Sequence, residues 1–214
     1  MSVVRRSARL GWRFVVLEVQ LYIALGRWVG RRPAVPEGAD AWGYSRLVTP
    51  VLWLWIFGSV CELPLAHVLV PWHGVRIALL VIGIWGLVWM LGLLASIKVY
   101  PHLVGDQELV LRFGKFARLD VPRDQIASAR TDNRDVDGGL RSLQPRTTAD
   151  GIDVQMPVND RVNVLVRLTH PLTVSTSKGP VEATSLSIWA DEPREMVAAL
   201  NRWIEVGRTV GGAV

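Results

Sequence analysis

Two long apolar runs constrain the fold of this chain more than any other feature. The first occupies residues 47–70 and reads LVTPVLWLWIFGSVCELPLAHVLV; the second occupies residues 77–97 and reads IALLVIGIWGLVWMLGLLASI. Each is at least as long as the roughly 20 residues that an α-helix needs to cross about 30 Å of hydrocarbon. Core helices of soluble domains seldom run this far with so few charges. We therefore predict two transmembrane helices.

The connector between these helices, Pro71-Trp72-His73-Gly74, is very short. It forces the two helices into an antiparallel hairpin, so the membrane part of the chain spans residues 47–97. Small residues in the second helix are expected where helices approach each other closely. These residues are Gly83, Gly86 and Gly92.

The formal net charge of +5 raises nucleic acid as a partner, so the charges have to be located along the chain. Nine arginines and four carboxylates precede Lys98, which accounts for the whole excess (9 − 4 = +5), whereas fifteen basic and fifteen acidic side chains cancel from Lys98 onward. This distribution fits a membrane-orientation signal better than a nucleic-acid footprint. No nucleic-acid partner is predicted.

The positions of the flanking basic residues predict the orientation of the hairpin. Arg46, Lys98 and the arginine-rich N-terminal region lie on one side, with Arg76 alone near the other. Because basic residues favour the cytoplasmic side, the sequence predicts a multi-pass protein of the inner (plasma) membrane with both termini in the cytoplasm. Arg13, Glu18 and Gln20 interrupt any secretory signal peptide, so no cleavage is expected.

Residues 1–46 precede the hairpin and are predicted to form an amphipathic helix followed by a linker. Apolar residues recur there at spacings of three and four, which is typical of one helical face: Leu10, Phe14, Leu17, Leu21, Leu25 and Trp28. Such an arginine-flanked helix suits the surface of a membrane bilayer, and packing against the soluble domain is the alternative. Prolines and glycines indicate that residues 32–44 are the linker.

Glu62 is the most unusual residue of the first apolar run, and His67 follows five positions later. A carboxylate inside a bilayer has to be neutral, paired or turned away from lipid. We predict an intramembrane polar contact at Glu62 and His67, either within the hairpin or to a partner subunit. A proton or ion relay is the functional alternative.

Residues 98–206 change to the alternating pattern of a soluble α+β domain. The predicted strands cover residues 109–113, 117–121, 126–131, 152–156, 162–168 and 181–189. Short strands with closely spaced turns favour a curled antiparallel sheet. A helix over residues 192–206, with Asp191 as its N-cap and Gly207 as its end, is expected to close the sheet. Residues 207–214 form a tail.

Several phrases of this domain resemble a known family. They are Val99-Tyr100-Pro101-His102-Leu103, Leu111-Arg112-Phe113-Gly114, Leu119-Asp120-Val121-Pro122 and Ala190-Asp191-Glu192-Pro193. Together with the hairpin, they resemble the bacterial membrane-anchored proteins with a pleckstrin-homology-like domain, particularly uncharacterised actinobacterial ones. The resemblance implies a seven-stranded curled sheet capped by one helix and used for binding. It implies no site residues.

The sequence holds no set of residues that predicts catalysis. Asn133, Asp135, Asp137 and Gly138 follow the spacing of a calcium loop, but its twelfth position is Gln144 in place of a bidentate glutamate. An exposed turn explains these residues better, and residues 130–150 are predicted to form a long loop. His102 and His170 are placed in loops at strand ends. No catalytic residue, cofactor or metal is predicted.

The predicted function is that of a membrane-tethered, cytoplasm-facing interaction module that is not an enzyme. Besides the lipid bilayer, its expected partner is a protein or a second copy of the chain. A lipid headgroup is an alternative ligand of the soluble domain. The alternative class is an accessory subunit of a transporter or membrane enzyme complex, in which Glu62 makes the intramembrane contacts.

Overall fold

The computed structural model describes residues 2–136, 143–176 and 179–211. Within these ranges, the side chains of residues 2–10, 13, 210 and 211 are not described. The chain divides into two compact units. The first combines Met1–Pro33 with Val48–Val99, and the second combines Ala34–Leu47 with Tyr100–Val214.

Three helices make up the first unit: α1 (Ser2–Val29), α2 (Thr49–Leu69) and α3 (His73–Val99). Helices α2 and α3 are long and apolar enough to cross a membrane, by length and composition. Only 6% of the apolar window of α2 and 11% of that of α3 is buried in the structure. The core helix of a soluble protein would be mostly buried, so these two helices differ from that class.

Two of the three predicted glycines lie at helix contacts. A Cβ added at Gly83 would lie 2.5 Å from Cδ2 of Leu63 in α2, and one added at Gly92 would lie 3.0 Å from Cβ of Leu21 in α1. The prediction is therefore confirmed at Gly83 and Gly92. At Gly86 an added Cβ would meet nothing within 4 Å, so this glycine makes no close helix contact within the described chain, and its contact with a partner subunit stays a prediction.

Helix α1 packs along α3, which neither sequence-based alternative for its location had named. Glu18 of α1 contacts Trp85 of α3, and Arg27 at the end of α1 lines one cavity with Lys98 at the end of α3. The two helices therefore run parallel, and their C-terminal ends come together. The apolar stripe of α1 predicts that one face is covered, but it does not say by what.

The second unit begins with a four-stranded antiparallel sheet. Its strands lie in chain order: β1 (Asp40–Trp42), β2 (His102–Val104), β3 (Glu108–Phe113) and β4 (Ala117–Pro122). Gly114 begins the turn between β3 and β4 with φ +51°, a left-handed conformation that glycine adopts readily. A short 3-10 helix, Arg123–Gln125, follows β4.

A five-stranded mixed sheet follows. Its strands are β5 (Ile126–Asp135), β6 (Gln144–Thr148), β7 (Gly151–Met156), β8 (Arg161–Thr176) and β9 (Gly179–Ile188). The order is β5-β8-β9-β7-β6. Strands β7 and β9 are parallel, whereas the other pairs are antiparallel. The prediction of an antiparallel sheet is therefore wrong at this one pair.

Helix α4 (Pro193–Gly211) packs on the second unit through Met196, Leu200 and Ile204, all of them buried in the core. Asp191 is not its N-cap, because Pro193 is the first helical residue and the Asp191 carboxylate accepts a hydrogen bond from the backbone N–H of Arg46 at 3.0 Å. Gly207 does not end the helix. It lies within α4, in contact with the Arg123 side chain.

Three predicted loops or linkers contain strands. The predicted linker includes β1, and the predicted loop at residues 130–150 includes the end of β5 and all of β6. Asn133 and Asp135 of the calcium-like pattern lie in β5, whereas Asp137 and Gly138 lie outside the described residues. His170 lies within β8, whose register with β9 shifts between Arg167 and Leu172.

The segment 34–47 is an integral part of the second unit. The Tyr44 hydroxyl accepts a hydrogen bond from the backbone N–H of Gly114 at 2.6 Å, and the Arg112 guanidinium donates one to the carbonyl of Ala34 at 2.9 Å. The Tyr44 ring lies 4.7 Å from that of His102. Side-chain contacts of this kind across long sequence separations explain why a stretch rich in proline and glycine is ordered.

Candidate functional site

The two residues singled out from the sequence are not brought together by the structure. Glu62 and His67 both lie on α2 and are exposed. At 3.6 residues per turn, five positions separate them by about 140° around the helix. Neither forms an ion pair within the described residues. Their intramembrane contact stays a prediction.

The most elaborate polar arrangement lies in the second unit, on the five-stranded sheet. Successive side chains of a strand point to opposite faces. One face carries the core residues Val154, Val164 and Leu186. The opposite face carries polar residues that are nevertheless buried: Asp153, Gln155 and Ser187, each at most 3% exposed. A buried polar group is costly unless it is hydrogen-bonded, so this face requires a complete set of partners.

The carboxylate of Asp153 in β7 is the shared hydrogen-bond acceptor of this face. Arg134 donates to Oδ2 at 2.7 Å, and Gln155 donates to the same oxygen at 3.0 Å. The hydroxyls of Ser187 and Ser185 donate to Oδ1 at 2.9 and 3.0 Å. We call these five residues the Asp153 network. Four donors from three strands converge on one carboxylate, which fixes β5, β7 and β9 relative to one another.

A cavity of about 510 Å³ opens beside this network. Three arginines and three aspartates line it: Arg130, Arg134, Arg167, Asp132, Asp150 and Asp153. Residues of β8 and β9, including Leu165, His170, Thr184 and Ser185, complete the lining. We call this cavity the sheet cleft. Its volume falls within the range of ligand pockets.

Most of the charges in the sheet cleft are already paired. Arg134 lies 2.7 Å from Asp153 and 3.3 Å from Asp132, and Arg167 lies 3.1 Å from Asp150. Arg130 forms no ion pair within the described part of the chain. The formal sum of the lining arginines and aspartates is zero (3 − 3 = 0). The cleft therefore presents both signs of charge and no excess of either.

The polar side chains beside the cleft are largely bonded to one another. Asp153 accepts four hydrogen bonds, so its lone pairs are committed to the fold and not to a substrate. The serine hydroxyls point their protons at that carboxylate, and no described histidine contacts them. A nucleophile needs an adjacent base that is itself free to accept a proton. The arrangement does not provide one.

A second buried polar group, His102, stabilises the four-stranded sheet. Its Nδ1 accepts a hydrogen bond from the backbone N–H of Arg112 at 3.0 Å, so Nε2 carries the proton and donates to the carbonyl of Trp189 at 3.1 Å. Burial lowers the pKa of His102 to about 4, and the carbonyl of Trp189 opposes this shift only in part. His102 is thus neutral and structural, and its predicted position in a loop is wrong because it begins β2.

Comparison with known proteins does not extend this description. No protein-family model, curated protein or solved structure matches the chain. The interpretation of the sheet cleft therefore rests on its own residues.

The sequence contains a signal for these residues, although it was not used to predict a site. In Ile152–Met156 and in Leu186–Ile188, polar and apolar residues alternate. That alternation correctly predicts strands, but it also suggests that Asp153 and Ser187 face solvent. The parallel pairing of β7 with β9, which no local pattern reveals, places Asp153 beside Ser185 and Gln155 beside Ser187.

Proposed function

We propose that this chain is a membrane-anchored binding module without catalytic activity, and that its sheet cleft binds a charged segment of a protein partner. The observation that carries the proposal is the mixed charge of the cleft beside the rigid Asp153 network. Equal numbers of arginines and aspartates suit a segment with both signs of charge. A phosphoinositide headgroup would require an excess of cations, which the cleft lacks.

Membrane anchoring is supported by the exposure of the apolar helices. Leu54 and Trp55 of α2 are 70% and 64% exposed, and Val81 of α3 is 62% exposed. Soluble proteins rarely leave so much contiguous apolar surface uncovered. A hydrocarbon environment would cover these side chains without any further protein.

We further propose that α1 crosses the membrane beside α3. It has 28 residues and is therefore about 42 Å long. Glu18 contacts Trp85, which lies about 21 Å along α3 before the end of that helix at Val99. The N-terminal half of α1 therefore continues toward the opposite side of a bilayer about 30 Å thick. Arg13 and Arg27 bracket its apolar stretch.

This arrangement revises the predicted location of the N-terminus. If α1 crosses beside α3, then the N-terminal end of α1 lies on the side of the α2–α3 connector, opposite the C-terminal end of α3. Each side then carries five basic residues: Arg5, Arg6, Arg9, Arg13 and Arg76 on one, and Arg27, Arg31, Arg32, Arg46 and Lys98 on the other. The arginine count no longer decides the orientation. We keep the second unit and the C-terminus on the cytoplasmic side as a proposal.

A pleckstrin-homology-like fold is part of the proposal. Two sheets and a closing C-terminal helix support it. The nine strands among the described residues and the parallel β7–β9 pair depart from the seven-stranded sheet that the resemblance implies.

Site-specific photo-crosslinking in cells tests the binding proposal. A photoreactive amino acid at Arg130 lies in the cleft, and one at Arg118 in β4 lies in the other sheet and serves as the matched control. We expect a discrete adduct at position 130 alone, abolished by Arg167→Glu. Equal adducts at both positions, or none at 130, would refute the cleft as the binding site.

The accessory-subunit alternative predicts a different result. The protein would then purify in mild detergent with a stoichiometric integral-membrane partner, and Glu62→Gln would release that partner while Arg167→Glu would not. This alternative is supported by the exposure of Glu62 on α2, which leaves its carboxylate accessible to a partner subunit.

A further inference from the structure

A basic cavity lies in the first unit, at the paired C-terminal ends of α1 and α3. It has a volume of about 430 Å³, and four cations line it: Arg27, Arg31, Arg32 and Lys98. Trp28 and Val29 contribute apolar lining, and no carboxylate does. We call it the basic cavity.

The four positive charges of the basic cavity are not neutralised within the described residues. None of them forms an ion pair there. The first unit contains only two carboxylates, Glu18 and Glu62, and Glu18 is bonded to Tyr22 and Trp85. Like charges in one cavity repel each other, so the arrangement favours a bound anion.

The backbone at the end of α1 holds one of these cations in an unfavoured conformation. The N–H of Arg32 bonds the carbonyl of Arg27 at 2.9 Å, and the N–H of Arg31 bonds that of Trp28 at 3.0 Å. This pattern ends many helices and places its penultimate residue in the left-handed region, where glycine is usual. Here that residue is Arg31, with φ +52°. Strained residues of this kind concentrate at ligand sites.

The level of the cavity along α3 indicates what kind of anion it meets. Lys98 is in the last turn of α3, where the apolar helix gives way to the second unit. Val29 is 75% exposed at the same end of the unit. Cations beside exposed apolar and indole groups are typical of the headgroup region of a bilayer. A soluble anion would use the cations but not the apolar lining.

We propose that the basic cavity binds the phosphate group of an anionic phospholipid in the leaflet on the side of the second unit. Arg27, Arg31, Arg32 and Lys98 surround the phosphate, and Trp28 and Val29 contact the glycerol and upper acyl chains. The site rests on the proposed membrane anchoring of the chain, but it is separate from the sheet cleft.

Native mass spectrometry tests this site. The full chain is purified in detergent micelles and titrated with phosphatidylglycerol or with phosphatidylcholine. We expect a retained phosphatidylglycerol molecule and weaker retention of phosphatidylcholine. Removing one cation near a lipid surface weakens binding about fivefold, so Arg31→Gln with Arg32→Gln should weaken phosphatidylglycerol retention about 30-fold. Arg194→Gln with Arg202→Gln on α4 removes the same charge elsewhere and should change nothing.

A single substitution distinguishes the effect of lost charge on lipid binding from an effect on folding. Arg31→Gly removes one cation but suits the left-handed backbone, so the variant should fold at least as well and still bind about fivefold more weakly. Equal retention of both lipids, equal loss in the α4 control, or displacement of the lipid by millimolar inorganic phosphate would overturn the site. A chain that does not enter membranes at all would instead refute the proposed anchoring.

Discussion

The indole N–H of Trp85 in α3 donates a hydrogen bond to Oε1 of Glu18 in α1, with 2.6 Å between nitrogen and oxygen. The Tyr22 hydroxyl donates to the same oxygen at 2.5 Å. Three polar groups thus satisfy each other between the two helices. In the membrane environment proposed for α1 and α3 such groups would have no water as an alternative partner, so the cluster would specify both the pairing of the two helices and its register.

Glu18→Ala and Trp85→Phe should each weaken the association of α1 with α3, and the loss in the double variant should be smaller than the sum of the two single losses. The reason is that both substitutions remove one shared hydrogen bond. The free energy of unfolding of the full chain in mixed detergent micelles is measured for the three variants. Glu62→Ala on α2 is the control and should be near neutral; strictly additive losses would contradict the pairing.

Gly92→Ala should destabilise the first unit by about 1–3 kcal/mol, because the added Cβ lies 3.0 Å from Cβ and 3.2 Å from the carbonyl oxygen of Leu21. Gly86→Ala is the matched control in the same helix, since nothing lies within 4 Å of its added Cβ. Alanine is the better helix former, so Gly86→Ala should stabilise α3 by about 0.5–1 kcal/mol. Thermal unfolding in detergent compares them, and similar effects of the two substitutions would show that α1 does not pack at Gly92.

Asp153→Ala should destabilise the second unit by about 3 kcal/mol, because it leaves the Arg134 guanidinium and two serine hydroxyls without their acceptor. The Asp153 side chain is 1% exposed, whereas that of Asp150 is 78% exposed. Asp150→Ala should therefore cost less than about 1 kcal/mol. Hydrogen exchange of the amides in β7 and β9 localises the effect, and equal protection in both variants would disprove the structural role of the network.

His102 should make the second unit less stable in mild acid. Its pKa falls from 6.5 in the unfolded chain to about 4 in the fold, so between these values the unfolded state binds the extra proton. Stability is therefore complete above about pH 6.5 and decreases as the pH falls toward 4, by an amount on the order of 3 kcal/mol. Hydrogen exchange measured from pH 7 to 4 should show this loss in the wild type and a flatter profile in His102→Gln. Parallel profiles would mean that His102 does not titrate in this range.

Local patterns made much of the fold predictable from the sequence. The apolar runs predicted α2 and α3, and alternation predicted β3, β4 and β7 within one or two residues of their ends. Strand β6, with the sequence QPRTT, has no apolar alternation because it lies at the edge of its sheet. It was therefore assigned to a loop.

Pairing between distant segments was not predictable. Strand β1 has three residues, and only its register with β2, Ala41 opposite Leu103, makes it a strand. The same limit applies to the candidate site. Arg134 was assigned to a loop, whereas it lies in β5 just after a shift of register between Thr131 and Arg134, 2.7 Å from Asp153. No local pattern in one sequence encodes such a shift.

The sidedness of single cysteines tests the central claim, a three-helix membrane anchor, most directly. In a Cys61→Ser background, a single cysteine replaces Ser7 in α1, His73 at the α2–α3 connector or Ser128 in β5. Intact cells or sealed vesicles that contain each variant are then treated with a membrane-impermeant maleimide. The account predicts that positions 7 and 73 react from one side and position 128 only from the other. Reaction of positions 7 and 128 from the same side would show that α1 does not cross, and equal reaction of all three without permeabilisation would contradict membrane anchoring itself.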